Sequence, residues 1–283
     1  MRWALPLVLL LLQEEGPFYH ATFSIVCRDP KTGEFAVGVT TMPRAVRKHC
    51  PFVRPGVGAV TTQALTNSAL GPRGLDLMAE GKSPEEALKI ALGEDQGHEQ
   101  RQVAYIDGKN PPAAHTGAKC MDWAGHLPGK DFCAQGNILV SRQTLEQVAK
   151  TFEETPGSLC GRVIAALKAG QKAGGDKRGH SSCAVLVASK DKVTLDLFVD
   201  NHKDPVNAVA EKFLPEHMRL GDRELAILCD PGPDVKELEQ KLKMEADDTF
   251  DEKTVEAVKA FQKSKKLPQT GKADLATIKE ILK

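Results

Sequence analysis

The order of the strand-like and helix-like segments is the feature that most constrains the fold of this chain. Residues 22–27 and 34–41 predict a hairpin, because two apolar runs are separated by the turn residues Pro30 and Gly33. Further strands are predicted at 56–63, 102–106, 113–116, 182–189 and 193–199. Helices are predicted at 72–92, 144–152, 159–168 and 205–213, and a loop at 117–136. Strands and helices that come in blocks, rather than in alternation, indicate an α+β fold.

The N-terminal segment has the pattern of a secretory signal. It carries one positive charge, an apolar run over 4–12 that is too short to span a bilayer, and the small residue Ala21 at its end. We therefore expect a signal peptide at 1–21 and a secreted or periplasmic protein. The alternative is an extension that stays attached, which the bulky Tyr19 and an acidic pair after the apolar run favour.

Charge and composition argue against a nucleic-acid partner. The chain has 38 basic and 38 acidic side chains, whereas nucleic-acid-binding proteins usually carry a basic excess. Aromatic residues make up only 5% of the chain, which leaves few platforms for base stacking. The histidines and cysteines lack compact zinc spacing, and no glycine-rich phosphate loop is present, so we expect neither a metal nor a cofactor.

Seven cysteines are scattered along the chain, and their odd number leaves at least one thiol outside any intrachain disulfide. Cys27 and Cys183 lie in apolar strand-like runs and are interpreted as core residues. Cys120 and Cys133 flank one loop-rich segment and are the first pair to test for a disulfide, which secretion would permit. Spacing alone gives no connectivity.

A domain boundary is predicted at 230–234, where two prolines and a glycine interrupt any regular element. Three amphipathic helices are predicted after it, at 235–242, 251–265 and 272–282. Such a segment can form a small bundle with a thin core. We therefore expect one domain at 22–230 and a second at 231–283.

Residues 22–213 resemble the family called domain of unknown function 1028. The resemblance is carried by residues 22–26, 28–30, 56–60, 62–64, 71–75, 123–125, 135–139 and 174–179. It implies a fold similar to the N-terminal nucleophile hydrolases, a four-layer α-β-β-α sandwich with two sheets between helices. In that superfamily the mature chain begins with Thr, Ser or Cys. Superfamily relatives also stack into oligomers, so we expect a homo-oligomer.

Residues 235–283 look like a peptidoglycan-binding-like three-helix domain. The resemblance depends most on Phe261 and Gln262, which are followed by Leu267-Pro268 and by Gly271. One departure is that residues 243–248 replace the usual glycine-rich turn before the second helix. The domain is thus expected to bind peptidoglycan or to serve only as a docking or spacing unit.

Thr22 is the candidate nucleophile. If the chain is cut after Ala21, the Thr22 hydroxyl lies beside a free α-amine whose pKa is about 8, so part of the amine is an uncharged base at neutral pH. The hydroxyl would attack an amide carbonyl, and water would clear the acyl-enzyme. The alternative is an ordinary strand threonine. Ser24 is expected to line the same site, because alternate residues of a strand share a face.

The resemblance suggests further site residues late in the chain. In the superfamily an acid and a hydroxyl lie beside the amino terminus, and the matching candidates are Asp176, Ser181 and Ser182, where a loop enters a strand. Arg178 is a candidate to pair with Asp176 or to hold a substrate carboxylate. The alternative for Asp176 is a solvated loop carboxylate or a turn cap.

A developing oxyanion needs hydrogen-bond donors aimed at it. The candidates are the side chains of Gln63 and Asn137 and the backbone N–H groups of residues 61–63, with Thr62 expected to contact substrate. The alternative for Gln63 and Asn137 is hydrogen bonding to loop backbone. Thr40 stands where superfamily enzymes have an acid, which is a departure from their pattern.

These features lead to two functional hypotheses. The first is an exported N-terminal-nucleophile amidohydrolase that cuts a small amide or peptide-like bond, with Thr22 as nucleophile and its own amine as base. The second is a non-catalytic binding or assembly protein of the same fold that holds a cell-wall or peptide ligand.

Overall fold

A computed structural model describes residues 19–20, 22–155, 157–213, 235–245 and 252–271, together with residues 273, 277, 280 and 281. The first strands are β1 (Tyr19–His20), β2 (Thr22–Asp29), β3 (Glu34–Thr41), β4 (Pro51–Arg54), β5 (Gly58–Leu65) and β6 (Arg101–Asp107). The later ones are β7 (Ala113–Thr116), β8 (Gly125–Pro128), β9 (Phe132–Asn137), β10 (Ser182–Ala188) and β11 (Val193–Val199). Most of the predicted signal peptide and the predicted domain boundary lie outside the described residues.

The strands form two antiparallel sheets. The five-stranded sheet has the order β1-β5-β6-β7, with β4 also paired to β5, and the six-stranded sheet has the order β11-β10-β3-β2-β9-β8. The described part of the chain is thus a mixed structure of helices and antiparallel sheets, as the segregated order of its elements predicts. The predicted hairpins β2–β3 and β10–β11 are both present.

Helices cover one face of each sheet. The helices are α1 (Leu70–Ala79), α2 (Pro84–Gly93), α3 (Gln143–Glu154), α4 (Leu159–Lys172), α5 (Pro205–Lys212), α6 (Val235–Lys241) and α7 (Glu252–Ser264). Side chains of α1 and α2 pack on the five-stranded sheet, and side chains of α3, α4 and α5 pack on the six-stranded sheet. The other faces of the two sheets meet in a cluster that joins Val26 and Val37 to Ala59 and Ile106.

Alternation along β2 decides which residues lie between the sheets. Phe23 and Ile25 point to the helices and belong to the larger core cluster, whereas Val26 belongs to the cluster between the sheets. Thr22 and Ser24 share the Val26 face. The space between the sheets is therefore apolar at Val26 and polar at the end where β2 begins.

Two predicted elements differ from the structure. The helix predicted at 72–92 is divided into α1 and α2, because Gly81 takes a left-handed conformation (φ 92°) and Ser83 caps a new helix with its side chain. The loop predicted at 117–136 contains β8 and most of β9. Both strands are short and contain glycine, so their extended form comes from pairing, of β9 with β2 and of β8 with β9, rather than from their own sequence.

The cysteines described are all free thiols, and Cys120 and Cys133, the first pair to test, form no disulfide. Cys133 is buried between the two sheets, while Cys120 donates to the carbonyl oxygen of Arg101 at the edge of the other sheet. Cys27 and Cys183 are fully buried, as predicted for core residues. Burial raises the pKa of the Cys50 thiol to about 12, so that this thiol is held in its neutral form.

The C-terminal segment has a small core of its own. Leu238 of α6 and Val258 of α7 are fully buried and pack with Ala273 and Ile281. Gln262 donates through Nε2 to Thr277 Oγ1 at 2.8 Å and accepts the N–H of Gly271 at 3.0 Å. Two of the three predicted helices are present, and most of the third lies outside the described residues. In the described part of the chain, no helix is long and apolar enough to cross a membrane.

Candidate functional site

A row of polar side chains crosses four adjacent strands of the six-stranded sheet. Thr22 at the start of β2 lies opposite Asn137 of β9 and opposite Thr41 of β3, and Thr41 lies opposite Ser182 of β10. Residues directly opposite one another in antiparallel strands share a face. All four are at most 1% exposed, so this polar row is buried on the face that meets the other sheet.

The hydroxyl of Thr22 is held by its neighbour in this row. Its Oγ1 donates to Oγ1 of Thr41 at 3.0 Å, and its carbonyl oxygen accepts from Nε2 of Gln63 at 3.1 Å. The second contact comes from the opposite sheet, since Gln63 belongs to β5. Thr22 is therefore fixed from two directions, through its side chain and through its main chain.

Gln63 connects the two sheets. Its Oε1 accepts from the Ser24 hydroxyl at 2.7 Å, and its Nε2 donates to Oε1 of Gln102 at 2.7 Å as well as to Thr22. A carboxamide nitrogen has two hydrogens, and both are used here. Ser24 thus lies where the alternation of the strand predicts, while Gln63 has both amide hydrogens bound and none left for an oxyanion.

Gln102 of β6 is the centre of the network. Its Nε2 lies within hydrogen-bonding distance of Thr116 Oγ1 (2.9 Å) and of the carbonyl oxygens of Gly125 (3.0 Å) and Gly136 (2.8 Å). Its Oε1 accepts from Nε2 of Gln63 and from Nδ2 of Asn137, the latter at 3.1 Å. One buried amide thereby links β6 to β5, β7, β8 and β9.

The network reaches a histidine at the sheet edge. Thr116 Oγ1 and Nδ1 of His126 lie 2.9 Å apart. Burial lowers the pKa of His126 below its ordinary value, and the nearby His115 lowers it further. A neutral imidazole can accept the hydroxyl hydrogen at Nδ1, so the lowered pKa favours this contact at neutral pH.

Two further polar atoms lie between the sheets. Thr61 Oγ1 and Gln135 Oε1 are buried and, within the described residues, have no hydrogen-bond partner. The two residues are neighbours, since Nε2 of Gln135 lies 3.5 Å from the carbonyl oxygen of Thr61. An unsatisfied buried polar group costs about 1–3 kcal/mol, so packing alone does not account for these two side chains.

A left-handed residue directly follows two of the site amides. Ala64, with φ 70°, follows Gln63, and Ile138, with φ 53°, follows Asn137. A non-glycine residue in this region is strained by about 1–3 kcal/mol, and such strain tends to occur at functional sites. The two strained positions therefore flank the residues that surround Thr22.

The late-chain candidates gather around residues 42–43 rather than around Thr22. Asp176 is 3% exposed and accepts the N–H of Met42 at 3.1 Å, and Arg178 pairs with its carboxylate at 3.2 Å. Ser181 and Ser182 donate to the carbonyl oxygens of the same short segment. These four residues hold the chain directly after Thr41, so their hydrogen bonds support Thr22 through its hydroxyl partner.

Thr62 lies on the opposite face of β5 from Thr61 and Gln63. Its hydroxyl donates to the carbonyl oxygen of Asn67 at 3.2 Å, and its N–H donates to the carbonyl oxygen of Cys50 at 3.0 Å. Because β5 alternates, its side chain is on the helix side, together with that of Val60. The predicted substrate contact through the Thr62 hydroxyl, and the use of its backbone N–H for an oxyanion, therefore do not agree with its position.

The sequence interpretation did not identify Thr41 and Gln102 as site residues. Each lies at one end of a segment predicted as strand, and the structure buries its polar side chain fully. Thr41 continues the strand face of Val37 and Val39, and Gln102 continues that of Ala104 and Ile106. This alternation is the signal that could have found them. Among the described residues, no group of three or more His, Cys, Asp or Glu side chains is arranged to hold a metal ion.

Comparison with known proteins identifies the family. The chain belongs to the family of unknown function DUF1028, whose model matches residues 22–209, as the sequence resemblance predicted. Residues 231–281 match a peptidoglycan binding domain family. The crystal structure of protein SPO2555 from Silicibacter pomeroyi, of the same DUF1028 family, is similar with a TM-score of 0.65 and 28% identity, over 68% of this chain and 84% of that chain. No curated protein matches the chain.

Proposed function

We propose that this protein is an exported amidohydrolase in which Thr22 is the nucleophile and its own α-amine is the base. The observation that carries the proposal is the burial of Thr22 in a polar network between two sheets. Apolar residues at these positions would stabilise the fold without the free-energy cost of removing polar groups from water. The family match also begins at this residue. Helices on the outer faces of both sheets are consistent with the four-layer α-β-β-α sandwich of N-terminal nucleophile hydrolases.

The proposed reaction has two steps. In the first, the uncharged α-amine takes the hydroxyl proton of Thr22, Oγ1 bonds to the amide carbon, and the amide C–N bond breaks as the leaving amine receives that proton. In the second, water attacks the ester while the same amine takes a proton from the water, and the acid is released as Oγ1 regains a hydrogen. No other reactant is needed.

The neighbours of Thr22 have proposed roles in this reaction. Thr41 orients the hydroxyl and Gln63 fixes the main chain, through the contacts at 3.0 and 3.1 Å. Asn137 lies directly opposite Thr22 and donates to Gln102 through Nδ2, which carries a second hydrogen. We assign that hydrogen to the oxyanion, while Asp176, Arg178, Ser181 and Ser182 keep Thr41 in place.

The free amine exists only when residues 1–21, here called the leader, have been removed. In the full chain Thr22 is bonded to Ala21 and its side chain is fully buried, so the chain in this form is the inactive precursor of the proposal. We propose 1–21 as the signal peptide, 22–230 as the catalytic domain and 231–283 as the peptidoglycan-binding-like domain. A peptidoglycan-binding domain is compatible with an extracellular or periplasmic protein.

Chains that differ only at the amino terminus test the proposal. A chain that begins at Thr22 should hydrolyse members of a panel of peptide and amide substrates, and the same chain with one extra alanine before Thr22 should be about 10³-fold slower, because its base is then a peptide nitrogen. Equal rates for the two chains would contradict the role of the amine. N-terminal sequencing of the protein from its native host should give Thr22 as the first residue.

The match to a peptidoglycan binding domain supports a second candidate function, in which the protein holds a cell-wall ligand without turnover. Purified peptidoglycan should retain the full chain. The amount of protein retained should fall about tenfold or more when residues 231–283 are deleted. Equal retention of both chains would indicate that the C-terminal segment serves only as a spacer. Hydrolysis by the deleted chain distinguishes the two candidate functions, because only the first requires it.

A further inference from the structure

One edge of β5 is completed by two residues of the leader. The other edge of this strand pairs with β6, whereas on the first edge the pairing with β4 covers only residues 58–61 of β5. Beyond that point β1 pairs with β5 in antiparallel orientation, with His20 opposite Ala64 and Tyr19 opposite Leu65. The main chain of the leader thus fills a stretch of edge that β4 leaves open.

This pairing lies beside the candidate nucleophile. Ala64 directly follows Gln63, whose side chain binds the carbonyl oxygen of Thr22. The chain pairs with one sheet at His20 and with the other sheet at Thr22, so it passes between the sheets within two peptide bonds. The bond that must break to free the Thr22 amine, between residues 21 and 22, therefore lies one residue beyond the paired segment Tyr19–His20.

We infer that the β5 edge at Ala64 and Leu65 is the binding site for the acyl side of a peptide substrate. The inference rests on the proposed function and narrows its substrate class from any small amide to an extended peptide. The substrate residue that supplies the scissile carbonyl corresponds in order to Ala21. The two residues before it pair with Ala64 and Leu65 as an antiparallel strand.

The chemistry of a strand edge supports this occupant. When the leader leaves, β5 loses its main-chain pairing with β1 at a position where Ala64 is only 5% exposed with β1 in place. The carbonyl oxygens of Ala64 and Leu65 keep side-chain donors in Thr66 and Arg101, so the loss falls on the main-chain N–H groups of this edge. Buried backbone groups need partners, and an extended peptide supplies them through its own main chain. A small amide without residues on its acyl side offers no such groups.

Hydrogen exchange followed by mass spectrometry tests the inference on the chain that begins at Thr22. All described strands except β1 and all described helices lie after residue 21, so this chain keeps both sheets. Its residues 63–66 should exchange about tenfold faster than in the full chain, and the synthetic peptide of residues 16–21 should restore slow exchange there. The full chain, whose edge is already paired, should not bind the peptide.

N-methylated peptides give the matched controls. In an antiparallel pair, alternate residues direct their N–H groups to the partner strand. Methylation of the nitrogen that corresponds to Tyr19 or to His20 should weaken binding about tenfold at one of these positions and leave it unchanged at the other. Equal binding of both methylated peptides, or protection of any segment other than 63–66, would overturn the inference.

The same experiment separates this inference from the proposed function. A Thr22→Ala chain should bind the peptide as tightly as the parent, because the edge does not need the hydroxyl. If the chain that begins at Thr22 binds the peptide but hydrolyses no substrate, only the proposed function is contradicted. If it hydrolyses small amides but does not bind the peptide, only the inference about the β5 edge is contradicted. If the chain beginning at Thr22 does not fold, the same chain is prepared in another way. A protease site replaces residues 18–21 of the full chain, and the leader is cut off after that chain has folded.

Discussion

Thr22→Ala, in a chain that begins at residue 22, should lower kcat/KM for the best amide substrate by about 10³-fold or more. Removal of the nucleophile in an enzyme that works through an acyl-enzyme leaves only the contribution of substrate binding and oxyanion stabilisation. The structural cost should be small by comparison. One buried hydrogen bond, Thr22 Oγ1 to Thr41, is lost, which is worth about 1 kcal/mol or a shift in Tm of about 2–4 °C.

Two variants serve as controls for this result. Thr22→Ser keeps a hydroxyl beside the amine and should retain measurable hydrolysis. Thr41→Val removes the same hydrogen bond from the other side while leaving the nucleophile intact, so it should lower stability like Thr22→Ala but reduce the rate far less. If Thr22→Ala kept the activity of the parent, another residue would have to be the nucleophile.

Local sequence was sufficient to predict the elements whose pattern is strong. The hairpins β2–β3 and β10–β11 consist of apolar runs around turn residues, and the structure contains both. It was not sufficient for β8 and β9, where glycines and polar residues hide the strand character. β9 owes its conformation to pairing with β2, which lies about a hundred residues away along the chain and cannot be seen in a local window. β8 in turn owes its conformation to pairing with β9.

The candidate site shows the same division between local and distant information. Alternation along one strand was enough to put Ser24 on the face of Thr22, and the same rule, applied to β5, separates Thr62 from Gln63. Thr41 became a neighbour of Thr22 only through the register of β2 and β3. Gln102 became one through the packing of the two sheets, which no spacing in the sequence encodes.

Gln102→Leu should be among the most destabilising single substitutions in the first domain. Leucine fills a similar volume but leaves the hydrogen-bonding groups of Gln63, Asn137 and Thr116, and the carbonyl oxygens of Gly125 and Gly136, without this partner between two sheets. Buried unsatisfied groups cost about 1–3 kcal/mol each, and neighbours relax to recover part of this, so we expect a loss of about 4 kcal/mol in the free energy of unfolding. Urea denaturation of the full chain measures it.

A matched substitution shows whether the loss in the free energy of unfolding comes from the hydrogen bonds of Gln102 or from replacing any glutamine with leucine. Gln143→Leu makes the same replacement at an exposed position at the start of α3 and should change the free energy of unfolding by less than about 0.5 kcal/mol. If Gln102→Leu cost no more than Gln143→Leu, the amide would contribute nothing to the contact between the sheets. Gln102 binds both Gln63 and Asn137. A large loss in the free energy of unfolding for Gln102→Leu would therefore mean that the hydrogen bonds that position the residues around Thr22 also stabilise the whole domain.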